Sequence, residues 1–155
     1  MRAFVIDVNV AIVANGKSPQ ANTRCKLACM RKLREVQKSL VTIDARDHIL
    51  GEYRRHLSMS GQPGAGDEFM YWLSQNLHTE SVSERVTIHE HPERVFEEFP
   101  DDPALTEFDK SDRKYVAVVR ASKNSPKILN AVDSDWGDFK EAFSTHGIEV
   151  CEICR

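Results

Sequence analysis

Phe4-Val5-Ile6-Asp7-Val8-Asn9 sets three apolar residues directly before an acid, and the rest of the chain is read outward from that run. A short apolar run ending in a polar turn fits a buried strand. The pattern recurs at Ile128-Leu129-Asn130-Ala131-Val132-Asp133, and Leu40 to Ile43 is a further strand-like run before Asp44. Between these runs lie helical patterns. Residues 22–39 are amphipathic. Asp44 can cap a helix running to about Leu57, with Ile49, Tyr53, His56 and Leu57 roughly on one face. Phe69, Met70, Trp72, Leu73 and Leu77 suggest another helix, residues 111–122 a fourth, and Trp136 to Thr145 a fifth. Val86 to Ile88 and Ile148 to Ile153 complete the expected strands. Strands alternating with helices predict an α/β fold, a three-layer sandwich with a mainly parallel central sheet flanked by helices. The clearest loop is Gly61-Gln-Pro-Gly-Ala-Gly66. With no repeat, low-complexity tract or linker, residues 1–155 read as one domain.

An apolar content of 41% and a charged content of 29% are those of an ordinary globular protein and exclude a disordered segment. No stretch approaches the roughly 18 apolar residues that span a bilayer, and the N-terminus lacks the long apolar region of a signal peptide. The expected compartment is the cytoplasm, with no membrane partner. Charge is unevenly spread: residues 1–60 hold 11 Lys/Arg against 5 Asp/Glu, and residues 61–155 hold 10 against 19. That split suggests a basic face for phosphate and an acidic region for metal or a basic partner, unless folding brings the halves together to neutralise each other. Cys151-Glu-Ile-Cys154 has the spacing of a zinc knuckle. Cys25 and Cys29, however, share an apolar stripe with Leu33, Val36 and Leu40, so buried thiols are expected rather than zinc or a disulfide.

Asp7 and Asp133 interrupt the hydrophobic pattern where burial should be deepest. In a parallel α/β sheet the carboxyl ends of the strands line the ligand crevice. An acid there is partly desolvated and needs a cation or hydrogen-bond donors, although a helix-capping role is the bland alternative for either one. Glu52 lies inside the Asp44-to-Leu57 helical pattern beside its apolar positions. Asp112 sits in the first turn of an otherwise hydrophobic helix, where the helix dipole favours a carboxylate. Four acids on four elements, converging at one sheet edge, would suit a hard cation such as Mg²⁺ or Mn²⁺.

On these residues the chain resembles the PIN-domain family, the small nuclease fold of VapC-type toxins and some RNA-processing enzymes. Phe4-Val-Ile-Asp7-Val-Asn9 is similar to that family's first strand. Ile49-Leu-Gly-Glu52-Tyr is similar to its acidic helix, and Ser111-Asp112-Arg-Lys-Tyr-Val-Ala-Val-Val to the helix opening with its third acid. Ala131-Val-Asp133-Ser-Asp135-Trp136 is similar to its closing turn, with Trp in the aromatic place. The motifs keep the family's order across essentially the whole chain. The departure is a long stretch between Glu52 and Asp112, whose part from 90 to 109 is acidic and proline-punctuated.

The resemblance implies a metal-dependent endoribonuclease acting on single-stranded RNA, with Asp7, Glu52, Asp112 and Asp133 as its catalytic acids. Asp7, Asp112 and Asp133 would hold the cation, with Asp135 as a supporting or alternative ligand. Glu52 would hold a water or second ion, and Asn9 would orient a water or phosphate oxygen. A cognate antitoxin and a homodimer are the partners it implies.

Other readings carry less. Gly16-Lys17-Ser18 ends like a P-loop but has Ala11 where the loop's first glycine belongs. Asp7-Val-Asn9 also resembles the nucleophile strand of haloacid-dehalogenase-type phosphatases, which carry a second Asp where this chain has Asn9. A non-catalytic binding module, its acids serving as caps and ion-pair partners, is a third reading. Arg31, Lys32 and Arg34, within the basic cluster on 24–38, are candidate RNA-backbone contacts, against a merely solvated helix face. The histidines show no convincing ligand spacing.

Overall fold

The computed structural model describes residues 2–154. Five strands, β1 (Ala3–Ile6), β2 (Leu40–Asp44), β3 (Ser83–Val86), β6 (Lys127–Asn130) and β7 (Val150–Glu152), form one sheet in the order β3-β2-β1-β6-β7. All its pairings are parallel. The register sets Phe4 beside both Val41 and Lys127, and Ile6 beside Leu129. Val5, Ile6, Ile128 and Leu129 are fully buried, as parallel strands covered on both faces require.

Helices cover the sheet in a three-layer α/β sandwich. Helices α1 (Val8–Ala14), α2 (Thr23–Val36) and α4 (Ala65–Gln75) pack on one another. Gly66 permits the α1–α4 approach, since a Cβ there would lie 2.1 Å from the Ala11 carbonyl oxygen. Helix α5 (Arg113–Ala121) packs across β1, β2 and β6, with α3 (His48–His56) against it. The short helices α6 (Asp135–Asp138) and α7 (Lys140–Thr145) bring Trp136 and Phe143 onto Phe108. Among the described residues no helix is long and apolar enough to cross a membrane.

The chain runs outward from β1 to β2 and β3, then returns to β6 and β7 on the other side of β1. The reversal opens a crevice beyond the carboxyl ends of β1 and β6, the usual ligand position in such sheets. Asp7 directly follows β1, and Asp133 stands three residues beyond β6.

Several elements differ from the sequence reading. Helix α1 was not expected. Val8, Val10, Ala11, Val13 and Ala14 are all buried, so it shows no polar face from which a helical period could be read. The expected helix from Trp136 to Thr145 breaks at Phe139 into α6 and α7. Asp112 closes a 3-10 turn (Lys110–Asp112) that leads into α5.

The acidic segment 90–109 contains a small antiparallel hairpin of β4 (Glu90–His91) and β5 (Val95–Phe96) and a second 3-10 turn (Pro103–Leu105). Its Phe96, Phe99, Leu105 and Phe108 are buried. The buried Arg113 donates to the carbonyls of Leu105, Thr106 and Phe108 and lies 4.4 Å over the Phe99 ring, fastening the segment to α5.

The cysteines require a correction. Cys25 and Cys29 are buried on the inner face of α2, as the apolar stripe predicts, but Cys25 forms a disulfide with Cys154, where thiols were expected. The partners are 129 residues apart, so only the sheet order, which brings the end of β7 to the start of α2, reveals the pair.

Candidate metal centre

Asp7 caps α1. One carboxylate oxygen accepts the Asn9 N–H at 3.0 Å and the other accepts the Trp136 Nε1–H at 2.9 Å. Trp136 is fully buried against Phe108, Tyr115 and Phe143, so this donor is held rigidly. Asp133 accepts the Asp135 N–H at 2.9 Å, a turn that aims it back toward Asp7. Asp112 arrives from the other side, ahead of α5. Oxygens of Asp7, Asp112 and Asp133 lie within 4.8 Å of one another. The three acids line an open pocket of about 300 Å³ with Asn9, Gln20, Val132 and Ser134.

The electrostatics are those of acids brought together out of water. Burial, aided by the charges of Glu52 and Asp133, pushes Asp7 up to about 6 against the hydrogen bonds from Asn9 and Trp136. Burial, followed by the charges of Asp7, Asp109 and Asp133, pushes Asp112 up to about 8, with Lys114 opposing. Asp112 is only 8% exposed, and no protein donor reaches its carboxylate among the described residues. Partial burial and the neighbouring charges of Asp133, Asp109 and Asp138 also raise Asp135. Water in the open pocket, a proton or a cation supplies what the fold does not. The oxygen-only donor set fits a hard divalent ion, which completes its shell with water.

Asp44 is the internal contrast. It too ends a buried strand, but it accepts the N–H groups of Arg46, His48 and Ile49 and contacts the His48 ring. Despite burial, those bonds from Ile49 and His48 hold it below the ordinary carboxylate range. The Asp44 carboxylate takes the first N–H groups of α3, although the N-cap position itself is Asp47 and not Asp44 as the sequence suggests.

Two of the expected site residues are engaged elsewhere. Glu52 accepts a hydrogen bond from the Tyr115 hydroxyl and pairs with Lys114 at 3.2 Å, so it flanks the three-acid cluster without joining it. Asn9 donates to Asn130 Oδ1 at 2.8 Å and accepts the Ala131 N–H at 2.9 Å, which makes it a brace for the turn carrying Asp133. Asp135 lies beside the cluster and outside it. Arg31, Lys32 and Arg34 occupy the far half of α2. Lys32 lies 4.9 Å over the Phe4 ring and pairs with Glu35, which also pairs with Arg2 before β1. That places them toward the opposite sheet edge.

Four contributors escaped the sequence reading. Asp109 adds charge to the site and caps the 3-10 turn. Lys114 is a buried cation beside Glu52, Tyr115 supplies its hydroxyl from α5, and Gln20 lines the pocket. Trp136 was matched as an aromatic residue, but its N–H bond to Asp7 has no signature in the chain order.

Comparison of the chain with family models, curated proteins and solved structures finds no match.

Proposed function

We propose that this chain is a metal-dependent endoribonuclease of PIN-like type that hydrolyses phosphodiester bonds of single-stranded RNA. One observation carries the reading: Asp7, Asp112 and Asp133 converge within 4.8 Å at the crevice between β1 and β6, and Asp112 has no protein donor among the described residues. A helix cap or surface ion pair would give Asp112 a partner.

Asp7, Asp112 and Asp133 would hold Mg²⁺ or Mn²⁺, and the bound ion supplies Lewis-acid activation of water and neutralises charge developing at phosphorus. The protein's own groups do the rest. The Asn9 N–H and Trp136 fix the Asp7 oxygens, so the acid is preorganised. Asn9 and Asn130 lock the turn that presents Asp133, with Asn130 donating to the Asp133 carbonyl at 2.8 Å. Asp135, outside the cluster, would serve only as a supporting ligand. Lys114 neutralises Glu52 beside the site and limits the repulsion an incoming phosphate meets.

Arg31, Lys32 and Arg34 would hold the RNA backbone as it leaves the site along α2. The helix advances about 13 Å from Cys25 to Arg34 at the helical rise of about 1.5 Å per residue. The toxin role, a cognate antitoxin and a homodimer belong to the same proposal.

Incubation with labelled single-stranded RNA and Mn²⁺ or Mg²⁺ should give cleavage that EDTA abolishes. Asp7→Asn should slow it by at least about a hundredfold, since a neutral amide holds the ion weakly. Equal activity in that variant would overturn the reading. Hydrolysis of small phosphomonoesters alone would favour the phosphatase alternative. Asn9 speaks against that alternative, because its amide is engaged by Asn130 and Ala131.

A further inference from the structure

The sulfurs of Cys25, Cys29 and Cys154 lie within 4.8 Å of one another, and the disulfide uses only two of them. Cys25 and Cys29 are four residues apart on α2, which stacks their side chains on one face. Cys154 reaches both from beyond β7. The Cys29 Sγ is fully buried, 3.8 Å from the Cys154 Sγ, and has no other polar partner among the described residues. Tetrahedral zinc with bonds of about 2.3 Å places its sulfur ligands roughly 3.8 Å apart. Access exists as well. A concavity of about 220 Å³ lined by Gln20, Asn22, Cys25, Ala131, Val132 and Cys154 opens onto the cluster.

A pair of cysteines would suffice for a disulfide. A third sulfur in contact with the pair, buried behind the two that line the concavity, completes the donor set of a soft-metal site. We infer that, once the Cys25–Cys154 bond is reduced, Cys25, Cys29 and Cys154 form a three-thiolate site for a thiophilic divalent cation of the zinc class, its fourth position facing the concavity. A dithiol or phosphine reductant supplies two electrons, and two protons complete the two new thiols. Cation uptake then releases thiol protons to solvent. Thiols are the resting state in reducing compartments, so disulfide and metal are alternative occupants of one sulfur pocket. Cys151, although in a knuckle-like spacing with Cys154, is outside the cluster. The sulfur site adjoins the acidic centre, sharing Gln20 and Val132 with its pocket, but uses none of its acids and does not rest on the nuclease reading.

The test uses the full chain, reduced with a phosphine and titrated anaerobically with Cd²⁺ as a spectroscopic stand-in for zinc. A thiolate-to-metal charge-transfer band should rise and saturate at one equivalent, and Zn²⁺ should displace it. Cys29→Ser should weaken binding at least about tenfold, because it removes one of three thiolates, while Cys151→Ser leaves it unchanged. The air-oxidised protein should show no band. Circular dichroism establishes that each variant is folded, and Cys154→Ser repeats the test should Cys29→Ser fail to fold. Absence of the band in reduced protein, its survival in both serine variants, or its loss in Cys151→Ser overturns the inference.

Discussion

Asp7 and Asp44 both follow buried strands, yet their carboxylates meet opposite surroundings. Asp44 accepts three backbone N–H groups, whereas Asp7, which accepts from Asn9 and Trp136, also faces Asp112 and Asp133. Asp7 therefore binds a proton more tightly folded than unfolded, its folded value rising from 3.8 to about 6. The ion-free protein should lose stability as pH rises through that window and bear the full cost above it. Two units correspond to about 3 kcal/mol. Asp7→Asn does not titrate, so its stability relative to the parent should rise by about 2–3 kcal/mol from pH 4 to pH 7, measured by urea titration with EDTA. A difference that stays flat with pH would mean that Asp7 is not desolvated. Trp136→Phe should cost about 1.5–3 kcal/mol, because it removes a hydrogen bond to a buried acid while keeping most of the ring.

Helix α5 links the site to the acidic segment. Its first turn is unusual in burying both Arg113 and Lys114, and each side chain there has a separate task. Arg113 supplies donors to three carbonyls of the segment and has no acidic partner among the described residues. Arg113→Met should leave those carbonyls unpaired and lower stability by about 3 kcal/mol or more, read by chemical denaturation. Lys114 instead acts on charge. Its field holds Asp112 down, so Lys114→Met should raise the proton affinity of Asp112. The acidic limb of the pH–rate profile for RNA cleavage should then move upward by about 1 unit, while Lys114→Arg leaves it in place. An unmoved limb would show that Asp112 does not govern activity.

Across the whole molecule, ion binding and folding should be linked. An ion that binds only the native state at a hundred times its Kd adds about 2.7 kcal/mol. Asp7 and Asp112 must give up protons to bind it, and their values lie near 6 and 8. The rise in Tm on adding Mn²⁺ should therefore be small at pH 5.5, grow through pH 8 and level off above, as thermal melts would record. Binding of the substrate should separate from chemistry. Replacing Arg31, Lys32 and Arg34 by Glu should weaken RNA binding. The slope of log affinity against log salt should become shallower by about 0.7 for each phosphate that is no longer neutralised. Single-turnover cleavage at saturating RNA should change little. An unchanged salt slope would place the RNA path away from the far half of α2.

The alternation of buried runs and amphipathic stretches was legible in the chain because period and burial are local properties of consecutive residues. So was the interruption of buried runs by Asp7 and Asp133, and the placement of Asp112 ahead of a hydrophobic helix. Helix α1 was not legible, since a helix with Asn9 as its one polar residue has no period to detect. The remaining decisions belong to the tertiary structure. Whether Asp112 has a donor, whether Glu52 faces the cluster or Lys114, and whether Cys25 meets Cys154 depend on groups brought together from distant elements. Asn9 looked like a substrate ligand and became a brace because β6 lies beside β1 and carries Asn130 and Ala131 to it. The basic residues of α2 lie toward the opposite sheet edge because that helix descends along the sheet to feed β2. Residue type fixes what a side chain can bind, whereas desolvation and the nearest donor, which set whether an acid is a cap or a ligand, arise only once the strands are ordered.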